Sequence, residues 1–330
     1  MKSHVSCMAR SLCTLLLVFL AGGIALAQTA ADFQQDLSLA KSDDVAAQLR
    51  VGLTYNRGLA TKGSYAEALR WFQTASNAGS TEAEAWLGSM YLFGHGITQD
   101  SNQAFAIESK LAAQHVPTAE LFLGFIYLSG KGAPKDPIKA ANLFRQSQEA
   151  GDARAMDMLG VLYQRGEGVP QDFAIAEYFY GRAAARGDDW AATHLGDLYR
   201  KGLLGGRNYA AAFRNYEAAA QQKNFVAQQR LGLMYEKGYG VTKDEQQAVL
   251  WYTMSARRSY ATAQLSLASM YVRGRGVPKD LLQAYAWTLL ANQNRHPDAQ
   301  ARLDKLRNAM SSDQVQQATA MSKTLPYLQP

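Results

Sequence analysis

Cysteine is nearly missing. The 330 residues hold two, Cys7 and Cys13, both at the extreme N-terminus. Everything downstream therefore lacks a thiol nucleophile, a disulfide and a cysteinyl metal site. Histidine is also sparse. Apart from His4 there are His95, His115, His194 and His296, none forming a close pair, and no HExxH occurs, so the spacing offers no metal-ligand pattern. Eight prolines and 27 glycines are too few for a collagenous or linker-rich chain. Neither sign of charge dominates, with 34 Lys+Arg against 28 Asp+Glu. No apolar run reaches the roughly 20 residues of a membrane span. What is present is an apolar fraction of 48%, enough to fill a core and to exclude a wholly disordered chain.

The N-terminus reads as an export signal. Lys2 and Arg10 supply the positive flank, Leu12 to Leu20 the apolar stretch, and Ala25-Leu26-Ala27 the small residues of a cleavage site. Cleavage after Ala27 is predicted, leaving 32 basic against 28 acidic residues, a net of +4 over 303 residues. That balance does not demand an acidic partner and disfavours nucleic-acid binding. Both cysteines leave with the signal. A cysteine-free exported protein fits a bacterial periplasm, with secretion beyond it as the alternative.

A period of 36 governs the rest. Gly52, Gly88, Gly124, Gly160, Gly196 and Gly232 recur at that interval, and Ala268 takes the seventh place. Tyrosine follows three positions later in all seven cases, from Tyr55 to Tyr271. Alanine recurs five positions before the glycine (Ala47 to Ala263) and sixteen after it (Ala68 to Ala284), again seven times each. Four fixed registers without an insertion define seven repeats over residues 47–298.

Each repeat reads as two helices. In the second, Ala83, Leu87, Gly88 and Tyr91 share one helical face, and Gly94-x-Gly96 ends the helix. A capping residue then opens a second helix: Ser64, Asp100, Asp136, Asp172, Asn208, Asp244 or Asp280. That helix carries alanine, an aromatic pair and a small residue, as in Ala248, Trp251-Tyr252 and Ser255, and ends near Gly79, Gly151 or Gly187. Small residues allow close helix approach and the rings fill the space beside them. Three repeats depart from the pattern. The first has Thr61 and Lys62 where Val-Pro usually stands. The second has Glu108 in the aromatic register and His115 in place of the closing glycine. The fifth has Leu204 followed by Gly205-Gly206. Residues 28–46 are expected to cap the N-terminal end, with a helix over Ala31 to Ala46. Residues 299–330 are expected to cap the other end, with helices over Asp298 to Met310 and Ser312 to Lys323 and a capping box from Ser311 to Gln314.

The pattern, seen in Ala263, Leu267, Tyr271, Gly274, Gly276, Val277, Asp280, Ala284, Trp287 and Ala291, resembles the Sel-one-like repeat (SLR) family, a relative of the tetratricopeptide repeat. The resemblance implies an all-α fold, a right-handed α/α superhelical solenoid of seven 36-residue helix-pair repeats with capping helices. It also implies a protein-binding scaffold with no cofactor. Related proteins serve envelope assembly, exopolysaccharide secretion, sensor-kinase regulation or host contact. Some cysteine-rich relatives are held to bind or hydrolyse β-lactams, which leaves a cell-wall hydrolase or receptor as the alternative function.

Motifs for catalysis are weak. Gly58-x4-Gly63-Ser64 lacks the phosphate-binding lysine of a P-loop. Ser38-Leu39-Ala40-Lys41 matches S-x-x-K, but neither S-D-N nor K-T-G accompanies it, and a surface turn explains it. Asp43-Asp44 and Asp188-Asp189 read as caps or a solvated face.

Binding residues follow by analogy with tetratricopeptide solenoids, whose first helices line a concave groove. Positions −3, +1, +4 and +5 from each register glycine would face it. In the second and third repeats these give Leu92, Phe93, Leu121, Phe125 and Leu128. In the fourth to sixth they give Asp157, Gln164, Arg165, Asp197, Arg200, Lys201, Gln229, Glu236 and Lys237. An apolar stretch thus adjoins a charged one, to be met by a protein or peptide partner. The competing reading places these leucines and phenylalanines in the core between repeats. The +5 register, basic in five of seven repeats, has two readings as well: a ladder for an acidic partner, or cations complementing helix C-termini. Phe93 is the exception that the second reading does not cover, which makes it the first choice for a contact residue.

Overall fold

A computed structural model describes residues 32–56 and 65–325, all helix and turn, with no strand among them. The expected signal over residues 1–27 and the Ser64 cap lie outside the described residues. The chain divides after Gly151 into two compact units. In the first lie α1 (residues 32–41), α2 (Val45–Asn56), α3 (Tyr65–Asn77), α4 (Thr81–Phe93), α5 (Ser101–Ala112), α6 (Pro117–Ser129) and α7 (Pro137–Glu149). The second holds α8 (Ala153–Arg165), α9 (Phe173–Ala184), α10 (Asp189–Lys201), α11 (Tyr209–Gln221), α12 (Phe225–Lys237), α13 (Glu245–Ala256), α14 (Ala261–Arg273), α15 (Leu281–Gln293), α16 (Ala299–Asn308) and α17 (Ser312–Ser322). No described helix is long and apolar enough to cross a membrane.

The registers fold as packing rules. Every alanine of the −5 and +16 registers is fully buried. The register glycine touches the ring twenty positions on: a Cβ at Gly160 or Gly196 would come within 2.5 or 2.6 Å of the Tyr180 or Tyr216 ring. Asp100, Asp136, Asp172, Asn208, Asp244 and Asp280 all cap their helices, each accepting from backbone N–H groups two or three residues on. The backbone N–H of each cap donates to the carbonyl of the register tyrosine, as Asp100 does to Tyr91 at 2.9 Å. The loop between the two helices is thus closed at both ends.

The C-terminal helices keep to the expected spans within two residues, whereas the N-terminal end is shorter than expected. The N-terminal helix stops at residue 41, and α2 starts at Val45. Asp43 takes a left-handed conformation at φ +63° and Asp44 accepts from the Ala47 N–H at 2.7 Å, so this pair turns and caps. Asp43 stands 36 residues before Gly79, which makes α1 the second helix of an incomplete repeat. At the other end Ser311 and Gln314 form both bonds of a capping box.

Candidate functional site

In the first unit, Phe93 ends α4 and is 47% exposed. A large apolar ring so placed needs support. Its centroid lies 6.4 Å from Phe122 and 6.3 Å from Phe125, both edge-on. Phe122 meets Trp86 at 5.3 Å, Trp86 stacks on Phe72 at 5.7 Å, and Phe125 meets Phe144 at 5.6 Å. His95 lies 5.6 Å from Phe93 and stacks on Tyr65 at 4.2 Å. Burial lowers the His95 pKa and favours neutral imidazole. Phe125 and Leu128 are half-buried beside this ridge.

Leu92 and Leu121 do not belong to that face. They are 3% and 0% exposed. Leu92 packs with Ala104, Leu123 and Ile126. Position −3 is covered in every repeat from the third to the seventh that carries a side chain of size there: Leu121, Asp157, Thr193, Gln229 and Leu265 are all buried. Between α8 and α10 the reason is visible, because Asp157 at −3 meets His194 of the following repeat at 2.8 Å. Leu92 and Leu121 therefore belong to the core and offer no surface to a partner, whereas Phe93 is exposed.

In the second unit the charged positions are largely tied to one another. Asp197 accepts from the Tyr216 hydroxyl at 2.5 Å and pairs with Arg200 at 3.2 Å and Arg230 at 3.4 Å. Burial would raise its pKa, but Arg230, the Tyr216 hydrogen bond and Arg200 outweigh burial and hold it below the usual range. Arg200 is half-buried in this group rather than presented to a partner. Glu236 accepts from Tyr252 at 2.9 Å and from Lys237 at 2.7 Å. Gln164 accepts from Tyr180 at 3.0 Å. Arg165, Lys201 and Lys237 are exposed at the ends of α8, α10 and α12. Each is one residue before a C-terminal glycine, where a cation complements the helix dipole.

Two features of the second unit are not apparent from the sequence pattern. One is the Asp157–His194 pair, 37 positions apart and so split between consecutive repeats. Burial alone would lower the His194 pKa, but the hydrogen bond and charge of Asp157, helped by Asp197 and Asp188, raise it. The other is the Tyr180, Tyr216 and Tyr252 hydroxyls, which a 36-residue period aligns. Tyr180 donates to Gln164, not to His194, so the geometry places no hydroxyl nucleophile against this histidine. Ser38 is an exposed residue of α1, and Asp188 caps α10. Among the described residues no three His, Cys, Asp or Glu side chains converge as a metal site would require.

Seven stretches, residues 45–80, 81–113, 117–152, 153–188, 191–224, 226–260 and 261–296, match the Sel1 repeat model. The chain is similar to the structure of c5321, a protective antigen present in uropathogenic Escherichia coli strains displaying an SLR fold. The identity is 30% and the TM-score 0.67, over 89% of this chain and 63% of that one. It therefore spans less than two thirds of that antigen's chain. It is also similar to a Sel1 repeat protein from Oxalobacter formigenes, at 30% identity and a TM-score of 0.61, over 83% of this chain and 80% of that one. No curated protein matches it.

Proposed function

The chain belongs to the Sel1 repeat family, and from that premise we propose that it is a non-catalytic scaffold that binds a protein or peptide through the aromatic ridge of its first unit. Sel1 repeats generally serve protein–protein interaction and are typically non-catalytic. The observation that carries the finer reading is Phe93, exposed at 47% yet held by rings on two sides. A rigid aromatic group loses little entropy on being covered, and such groups dominate binding energy at interfaces. Phe125 and Leu128 extend the apolar surface beside it. The partner's segment would lay an aromatic or branched aliphatic side chain against Phe93. Arg165 and Lys201 are separate exposed cations of the second unit, suited to carboxylates on the same or another partner, while Lys237 is already held by Glu236.

The same proposal includes export. The apolar segment Leu12 to Leu20, with Ala25-Leu26-Ala27 behind it, supports delivery to the periplasm or beyond. The partner would then be an envelope or extracellular protein. The test is to identify the partner by crosslinking in the native envelope and to measure its affinity for the purified pair. Phe93→Ala should weaken binding by about tenfold to a hundredfold while the protein still melts cooperatively, at a slightly lower temperature. Unchanged affinity would overturn the assignment of this face. An enzyme-like turnover of a β-lactam or muropeptide by the mature protein would overturn the scaffold reading itself.

A further inference from the structure

The seventh repeat breaks one packing rule, and a cavity stands where it is broken. Five repeats place a ring twenty positions after the register glycine: Phe72, Phe144, Tyr180, Tyr216 and Tyr252. In the seventh that position is Thr288, and the glycine is Ala268. Thr288 is buried, and its hydroxyl donates to the Ala284 carbonyl at 2.7 Å. A cavity of about 230 Å³ opens beside this pair. Ala268, Thr288, Val272 and Leu306 give it apolar walls, and Arg273, Arg302 and Lys305 line it with positive charge. No acidic side chain lines it.

The fifth repeat shows what the same place can hold. There Asp197, one residue after the register glycine, is bound by the Tyr216 hydroxyl, Arg200 and Arg230. In the seventh repeat Ser269 stands for that aspartate, Val272 for Arg200 and Thr288 for the tyrosine. Arg302, two repeat lengths after Arg230, keeps its cation. The carboxylate and the ring are gone while a guanidinium that would pair with them remains. The neighbouring acids are engaged elsewhere. Asp304 of α16 accepts from Gln300 at 3.0 Å and lies 3.8 Å from Arg307, and Glu236 is held by Lys237 and Tyr252.

We propose that this cavity binds a small carboxylate bearing an aromatic ring, its ring against Val272 and Leu306 over the Ala268–Thr288 floor and its carboxylate toward Arg302, Lys305 and Arg273. The ligand would restore from outside what the fifth repeat builds from its own side chains. A cavity of this size lies below the roughly 300–1,000 Å³ of drug-sized sites and suits a molecule of one ring. The site is independent of the Phe93 ridge, so failure of either leaves the other standing.

The test uses 3-(4-hydroxyphenyl)propionate as probe against the full chain, by calorimetry and by ¹H–¹⁵N chemical-shift mapping. Binding is expected with a dissociation constant of roughly 1 mM or below, with shifts centred on Ser269, Thr288 and Arg302. The amide of the probe should bind at least about tenfold more weakly. Arg302→Gln, an exposed change that leaves the packing intact, should weaken the acid at least about threefold. Ala268→Gly combined with Thr288→Tyr rebuilds the ring–glycine pair of the other repeats and should abolish binding while raising the melting temperature. The tripeptide Gly-Gly-Tyr carries the same ring and carboxylate. Tighter binding than the free acid assigns the ligand to a chain terminus, and weaker binding assigns it to a free metabolite. The proposal is overturned if the acid does not bind, if acid and amide bind alike, or if Arg302→Gln leaves the affinity unchanged.

Discussion

Glu108 is the residue most at odds with its surroundings. It is fully buried in the register that holds rings in five other repeats, and neither carboxylate oxygen finds a hydrogen-bond partner among the described residues. Burial first, then the charges of Glu82 and Glu84, push its pKa well above the usual range. An acid raised in the folded state leaves stability intact at low pH. Its cost grows as pH climbs above the unfolded value, because only the unfolded chain then ionises freely. Glu108→Phe should therefore stabilise the protein by about 1–3 kcal/mol at pH 8 and by less at pH 5, read from denaturant unfolding at both pH values. A gain independent of pH would contradict the account. The second unit has a related pair of groups. Burial and the charge of Asp157 raise Asp188 to about 6, though it still accepts the Ala191 N–H, while His194 is raised by Asp157 against its own burial. For Asp188, stability is lost between its unfolded value and about 6. For His194, the stability it adds is present below its unfolded value and lost as pH rises through its higher folded one. Both groups work in the same direction, so their joint contribution to stability should fall from pH 5 to pH 8 against the opposite, smaller trend of His95, and Asp157→Asn should make the measured stability fall less, or rise more, over that range. Sequence alone exposed Glu108 as an exception, since a register makes a misfit visible. It did not expose the Asp157–His194 contact, because that pairing depends on how one repeat lies on the next.

Among the elements, the loops were the most legible and the helix faces the least. Caps such as Asp100 and Asp280 need only local geometry, so residue type and spacing identify them. Which side of a first helix faces solvent depends on the next repeat, and Leu92 and Leu121 fell on the covered side. The turn after the second helix shows the backbone dictating to the sequence. Gly79, Gly151 and Gly187 take positive φ there, but so do His115, Lys223, Ser259 and Arg295 at the same 36-residue interval. A side chain in that conformation costs about 1 kcal/mol or more. Ser259→Gly should thus stabilise the fold by about 0.5–1 kcal/mol in denaturant unfolding. The opposite holds at Gly276, at φ +67° against the Glu245 carbonyl of the preceding repeat. Gly276→Ala adds backbone strain to a steric clash and should lower the melting temperature markedly. A neutral result at Gly276 would mean that the loop does not dock on the repeat before it.

For the whole molecule, stability should be distributed repeat by repeat, because each hairpin contacts mainly its neighbours in a solenoid. Within the second unit, removing residues 189–224 excises one period and joins Asp188 to Phe225, with Asp188 taking over the cap that Asn224 provides. Asp157 would then face Arg230 in place of His194, an ion pair for a hydrogen-bonded pair. The shortened chain should keep its mean residue ellipticity to within roughly a tenth and still melt cooperatively. Loss of cooperative melting would show that the repeats are not interchangeable. Binding through the first unit is a claim about one patch, and the sequence pointed to it through a single anomaly, Phe93 where five other repeats carry a cation. The most direct test places a photo-crosslinking amino acid at position 93 in living cells and, as control, at Ile138, an exposed apolar residue of α7. The account predicts one discrete adduct at 93 and none at 138. Equal labelling at both positions, or none at 93, would contradict it.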